Sequence, residues 1–71
     1  MPINDFIIAR MQELMRARGL SRYGLAQLSD YPRSSLFSYL QGKRQVPMLF
    51  VVDFCTALGI RVSDFFAGYE G

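Results

Sequence analysis

From Ile3 to Arg18 the apolar residues Ile3, Phe6, Ile7, Met11, Leu14 and Met15 recur at spacings of three and four, the signature of one face of an amphipathic helix. Asn4 is expected to cap this helix, with Ile3 and Ile8 forming a hydrophobic staple across the cap, and Gly19 to stop it. Ser21 then caps a second, short helix whose Leu25, Ala26 and Leu28 face inward. Gly24 inside it costs about 1 kcal/mol relative to alanine. Ser29, Asp30 and Tyr31 make a turn. Asp30 is the residue best able to take a left-handed backbone, and Pro32 pushes Tyr31 out of the helical region. Pro32 opens a third helix, since its missing N–H would be unpaired there. This helix runs to about Leu40 or Gln41, where Gly42 ends it. Val46 is extended before Pro47, which opens a fourth helix to Leu58, closed by Gly59. In that helix Met48, Val51, Val52, Cys55 and Leu58 form the inward stripe, with Phe54 at its edge and Leu49 and Phe50 outside it. Ile60, Val62, Phe65 and Phe66 predict a short fifth helix. The expected fold is all-α, a compact five-helix domain spanning residues 1–71.

Length and composition narrow the picture. A chain of 71 residues has room for one domain, which buries only roughly 60% of the surface that its unfolded chain exposes. With 51% apolar and 20% charged residues it is too apolar for a disordered tail. No window approaches the ~20 consecutive apolar residues of a membrane span, and nothing after Met1 reads as a secretory leader, so a cytoplasmic setting with no membrane partner is expected. Cys55, alone in the run VVDFCTAL, reads as a small buried thiol. Without histidine or a second cysteine, transition-metal sites and the usual nucleophile and base pairs lack their parts. The expectation is a non-enzyme with no cofactor and no evident small-molecule effector.

Charge is unevenly placed. Arg16, Arg18, Arg22, Arg33, Lys43 and Arg44 face only Asp30 in the middle of the chain, a net +5, while the remainder is net −3, which together give the overall +2. Folded into one domain, this middle third makes a positive face suited to a polyanion. Counting from Arg22, the fifth residue is Ala26, the ninth Asp30 and the fifteenth Leu36. These are a small residue where two helices touch, a turn residue and an apolar anchor, as a helix-turn-helix of about residues 21–41 requires.

Through GLSRYGLAQLSDYPRSSLFSYLQGKR, the following Pro47 and ALGIRVSDFF, residues 11 to 66 resemble without a gap the phage Cro and lambda-type repressors, also called Xre-like regulators. The resemblance implies a lambda-repressor-like domain whose third helix enters the major groove of double-stranded DNA. It further implies that Ser21 and Arg22 occupy the phosphate-clamping position, and that Lys43 and Arg44 contact phosphate or a base edge from the loop. Two apolar residues depart from the family: Met15 and Leu40 stand where an Arg and a Glu often pair. Met15 is expected to pack on Leu40, an exchange of a buried ion pair for apolar contact that is often neutral or stabilising. Asp30 replaces the usual turn glycine, and Arg61 stands where a helix cap is usual.

The third helix can also be read without that likeness. At 100° per residue, Leu36, Tyr39 and Leu40 share one face, and Ser34, Phe37, Ser38 and Gln41 project from the other. Arg33 has the fork that suits guanine O6 and N7, and Ser34 and Ser38 permit close approach to base edges. Phe37 could meet a thymine methyl or lean back over the core, while Gln41 would join Lys43 and Arg44 at the backbone. Leu49 and Phe50, with Phe66, are read as a homodimer interface, the alternative being that they pack under the tail. The expected function is a sequence-specific DNA-binding transcriptional regulator, a repressor that binds a short palindromic operator as a dimer. The alternative is a protein-interaction module, an antitoxin or accessory factor, on the same fold.

Overall fold

Three prolines set three of the helix starts. In the computed structural model, which describes residues 1–70, the helices are α1 (Ile3–Ala17), α2 (Arg22–Leu28), α3 (Arg33–Leu40), α4 (Met48–Leu58) and α5 (Val62–Phe65). Pro2, Pro32 and Pro47 hold the cap positions of α1, α3 and α4 with ψ of 146°, 142° and 147°, and each is followed directly by helix. Their carbonyls accept the first helical N–H groups, from Phe6 (3.1 Å), Leu36 (3.1 Å) and Val51 (3.2 Å). Because Pro2 starts α1 early, Asn4 lies inside the first turn and is not the cap. Its Oδ1 instead accepts the Val46 N–H at 2.8 Å, tying the α3–α4 loop to α1. Ile3 is then the first helical residue and not the one before the cap, so Ile3 and Ile8 do not hold the places of a staple.

The exits share one motif. After α1 the Leu20 N–H reaches the Met15 carbonyl (2.8 Å) and the Gly19 N–H that of Arg16 (3.1 Å), and after α3 Lys43 bonds Ser38 (2.9 Å) and Gly42 bonds Tyr39 (3.1 Å). This paired pattern needs a left-handed residue after the cap, supplied by Gly19 (φ 61°) and Gly42 (φ 75°). The exit of α2 differs from the expectation. No residue other than glycine has positive φ among the described residues, so Asp30 is not left-handed. The chain leaves α2 by extending at Ser29 (φ −109°, ψ 149°), whose hydroxyl donates back to the Leu25 carbonyl at 2.9 Å.

Gly24 has a packing reason. A Cβ there would stand 2.8 Å from the Leu20 Cδ1, which lies across the start of α2. Leu20 precedes the Ser21 cap and Leu25 follows it at the fourth helical position, the two places of a hydrophobic staple.

Met11, Leu25, Leu36, Phe50, Val51, Phe54 and Phe65 are fully buried and form the centre of the core. The inward face of α4 is rotated from the expected stripe: Phe50, Val51, Phe54, Cys55 and Leu58 are buried, whereas Met48 (53%), Leu49 (69%) and Val52 (40%) are exposed. Phe50 decides the rotation. Its ring meets Tyr31 at 4.7 Å, Tyr39 at 5.1 Å and Phe54 at 6.4 Å, and this aromatic packing outweighs the burial of Met48 or Val52. Phe50 therefore cannot belong to a dimer interface. Phe66 is half-buried, stacked on Phe6 at 6.1 Å, and Leu28, expected inside, is exposed. Burial pushes the Cys55 thiol pKa up, as suits a packing residue.

Met15 and Leu40 line one shallow groove between α1 and α3, with Leu20 beside them. Further polar ties run from α1. The Arg10 Nε and Nη2 donate to the carbonyls of Phe65 and Asp64, both at 2.9 Å, and its Nη1 pairs with Glu13. Arg18 donates to the Leu58 carbonyl. Both arginines thus meet helix C-termini, where unpaired carbonyls and the helix dipole favour a cation.

The Tyr31 hydroxyl donates to Asp53 Oδ2 at 2.7 Å, joining the α2–α3 turn to α4. This hydrogen bond, with burial and the Asp53 charge, pushes the Tyr31 pKa up to about 12. The folded state then holds a proton that the unfolded chain releases near pH ~10. Stability from this bond is complete below about pH 10 and falls as pH rises toward the folded value. Urea midpoints at pH 8 and pH 11 should therefore drop further for the native chain than for Tyr31→Phe. Phe50→Ala should cost about 3–5 kcal/mol in urea denaturation.

Candidate nucleic-acid interface

α2 and α3 are held as a pair by the buried Leu25 and Leu36 and the half-buried Ala26. Ser21 caps α2, its Oγ accepting the Gly24 N–H at 3.0 Å, which leaves its hydroxyl proton for an outside acceptor. On α3, Leu36 and Tyr39 are buried and Leu40 is half-buried, as the helical period predicts. Arg33 and Ser34 are exposed at its start, and Ser38 is half-buried one turn on. Gln41, Lys43 and Arg44 are exposed beyond its end, on the backbone that reverses at Gly42.

The expected residues are joined by one that periodicity did not single out. The Arg22 guanidinium carbon lies 4.6 Å from the Phe37 ring centroid and 5.2 Å from that of Tyr23. The Arg33 carbon lies 5.5 Å from the Tyr23 centroid, on which both guanidinium groups therefore converge. Tyr23 and Phe37 meet edge to face at 5.5 Å, and Arg22 Nη2 donates to the Tyr23 hydroxyl at 3.3 Å. Phe37 thus leans back as a half-buried support for Arg22, with Tyr23 against its ring. Tyr23 and Phe37 lie fourteen positions apart, too far for a helical period to link them. The available signal was a bulky aromatic beside Arg22 in the first turn of a short helix.

Electrostatics set this face apart. Arg10 and Arg18 are fixed on carbonyls at α5 and α4. Arg16, Arg22, Arg33, Lys43 and Arg44 pair with no carboxylate among the described residues. Neither α2 nor α3 has an acidic residue in its first turn.

A family model described as a helix-turn-helix domain matches residues 9–64, from within α1 to within α5. The chain belongs to this family, of the Xre/Cro-like type. No curated protein and no solved structure matches the chain. The match takes in the whole of the α2–α3 pair, so the helix-turn-helix is Arg22–Leu28, the turn and Arg33–Leu40. No helix among the described residues is long and apolar enough to cross a membrane.

The loop carrying Lys43 and Arg44 depends on Gly42. A Cβ there would meet only Ile8 Cδ1, at an ordinary 3.8 Å, so the penalty is one of backbone conformation. Gly42→Ala should destabilise the domain by about 1–2 kcal/mol in urea denaturation.

Proposed function

We propose that this helix-turn-helix protein is a sequence-specific DNA-binding transcriptional regulator that represses by occupying a short palindromic operator as a dimer. The observation that carries this reading is the outer face of α3. Arg33, Ser34 and Ser38 are accessible there, flanked by the unpaired cations Arg22, Lys43 and Arg44. A helix presented in this way fits the major groove, with Arg33 forked onto a guanine and the two serines close to neighbouring base edges. Ser21 and Arg22 at the start of α2, with Gln41, Lys43 and Arg44 after α3, serve as phosphate contacts that fix register without reading bases. Phe37 supports Arg22, whose guanidinium lies over its ring.

Leu49 is the centre of the proposed dimer contact, continued along α4 by the exposed Met48 and Val52, with the half-buried Phe66 proposed to join it. The same exposed stripe supports a second reading, a module that binds another protein through α4.

Selection of bound duplexes from random sequence, followed by salt titration of the enriched site, tests the DNA reading. Arg33→Ala should cost ~1–3 kcal/mol and relax one base position. Arg22→Ala should lower affinity for every sequence and reduce the slope of log affinity against log salt by about one. Failure to enrich any sequence would favour the protein-binding module. Leu49→Asp should halve the sedimenting mass, and an unchanged mass would remove α4 from the dimer contact.

A further inference from the structure

Resting on the DNA reading above, we infer that Tyr23 is a positioning residue that couples the phosphate contact of Arg22 to the base contact of Arg33. The argument begins with where the arginines stand. Arg22 is the first residue of α2 and Arg33 the first of α3. Unpaired N–H groups make a helix start positive, so a cation there is repelled by its own helix. Two such cations at the ends of two packed helices also repel each other. With no carboxylate paired to either, long flexible side chains in this setting would splay into water and lie apart.

They do not lie apart, and the reason is Tyr23. Its ring is approached by both guanidinium groups, at 5.2 Å and 5.5 Å from the centroid, within the range of a cation–π contact. The electron-rich face offsets part of the repulsion and gives each planar group a surface to lie against. Phe37 completes the platform by meeting Tyr23 edge to face and Arg22 at 4.6 Å. The Tyr23 hydroxyl contributes little, since its contact with Arg22 is long at 3.3 Å. The ring itself is therefore the active part.

Tyr23 is 48% exposed, so this arrangement is built on the surface and is not a by-product of core packing. Its consequence is that the two arginines are not independent. Ordering them before DNA arrives lowers the entropy lost on binding, and moving one guanidinium off the shared ring changes the setting of the other. An arginine reads guanine only when its fork is aimed, so loss of the ring should blunt base discrimination as well as affinity.

A double-mutant cycle on the selected site tests this, with Tyr23→Leu, Tyr23→Phe and Arg33→Ala. Tyr23→Leu should lower affinity for the selected site about tenfold and shrink the Arg33→Ala penalty by at least threefold, with an unchanged urea midpoint. Tyr23→Phe should restore both to within about twofold. An Arg33→Ala penalty of the same size with and without the Tyr23 ring would overturn the coupling. The DNA-free protein gives a separate reading: the Nε–H signals of Arg22 and Arg33 should be ring-current shifted in NMR spectra, and both should move toward random-coil positions in Tyr23→Leu. Signals that stay put in that variant would overturn the shared platform. If the native chain enriches no sequence while both signals are shifted, the platform exists and the DNA reading fails, which separates the two outcomes.

Discussion

Phe50 has neighbouring rings from three parts of the chain: Tyr31 in the turn, Tyr39 on α3 and Phe54 one turn along its own helix. This seat fixes the rotation of α4 and the angle at which the helix-turn-helix rests on it. A chain of 71 residues has few core residues with which to define such an angle, so a fully buried phenylalanine carries a large share of it. The Tyr31–Asp53 hydrogen bond closes the same corner from outside. Together they hold the turn between α2 and α3 without the left-handed residue expected at Asp30, because the turn is braced by α4 and by the back-bonding of Ser29.

The arginines divide into two groups by which end of a helix they meet. Arg10 and Arg18 bond the last carbonyls of α5 and α4, where the helix dipole attracts a cation and the orphan acceptors are satisfied. They belong to the fold. Arg22 and Arg33 stand at helix starts, where the same dipole acts against them, and no carboxylate relieves them. These cations have no partner in the fold, and the proposed DNA contact rests on that. Sequence charge counting could not make this division. Arg18 and Arg22 lie in one basic stretch and differ only in what the fold puts beside them.

The helices and their order were legible because most of their punctuation is chemical: Pro32 and Pro47 at starts, Gly19, Gly42 and Gly59 at ends, whereas the α1 cap was placed on Asn4 and falls on Pro2. The outer face of α3 was legible for the same reason, its Leu36 and Tyr39 anchors being at helical spacing. Helix α4 was misread because MLFVVDFCTAL is apolar nearly all round, and period alone cannot choose a face when every face is apolar. Only the tertiary fit of Phe50 among three rings breaks that tie. Gly24 was legible as a cost but not as a requirement, since its reason, the passage of Leu20 over α2, is a contact at the helix start that propensity does not encode.

Tyr23 and Phe37 show the same limit at the site. Each is an aromatic residue at a surface position, and taken singly such residues need no explanation. Brought within 5.5 Å of each other with a guanidinium on each, they become a pre-arranged surface for two cations. Met15 and Leu40 act in a complementary way a short distance off. They line the groove between α1 and α3 with apolar groups, and Arg22 borders the same groove. The interior of this domain is thereby relieved of buried charge, and its unpaired positive charge is left where a polyanion can reach it.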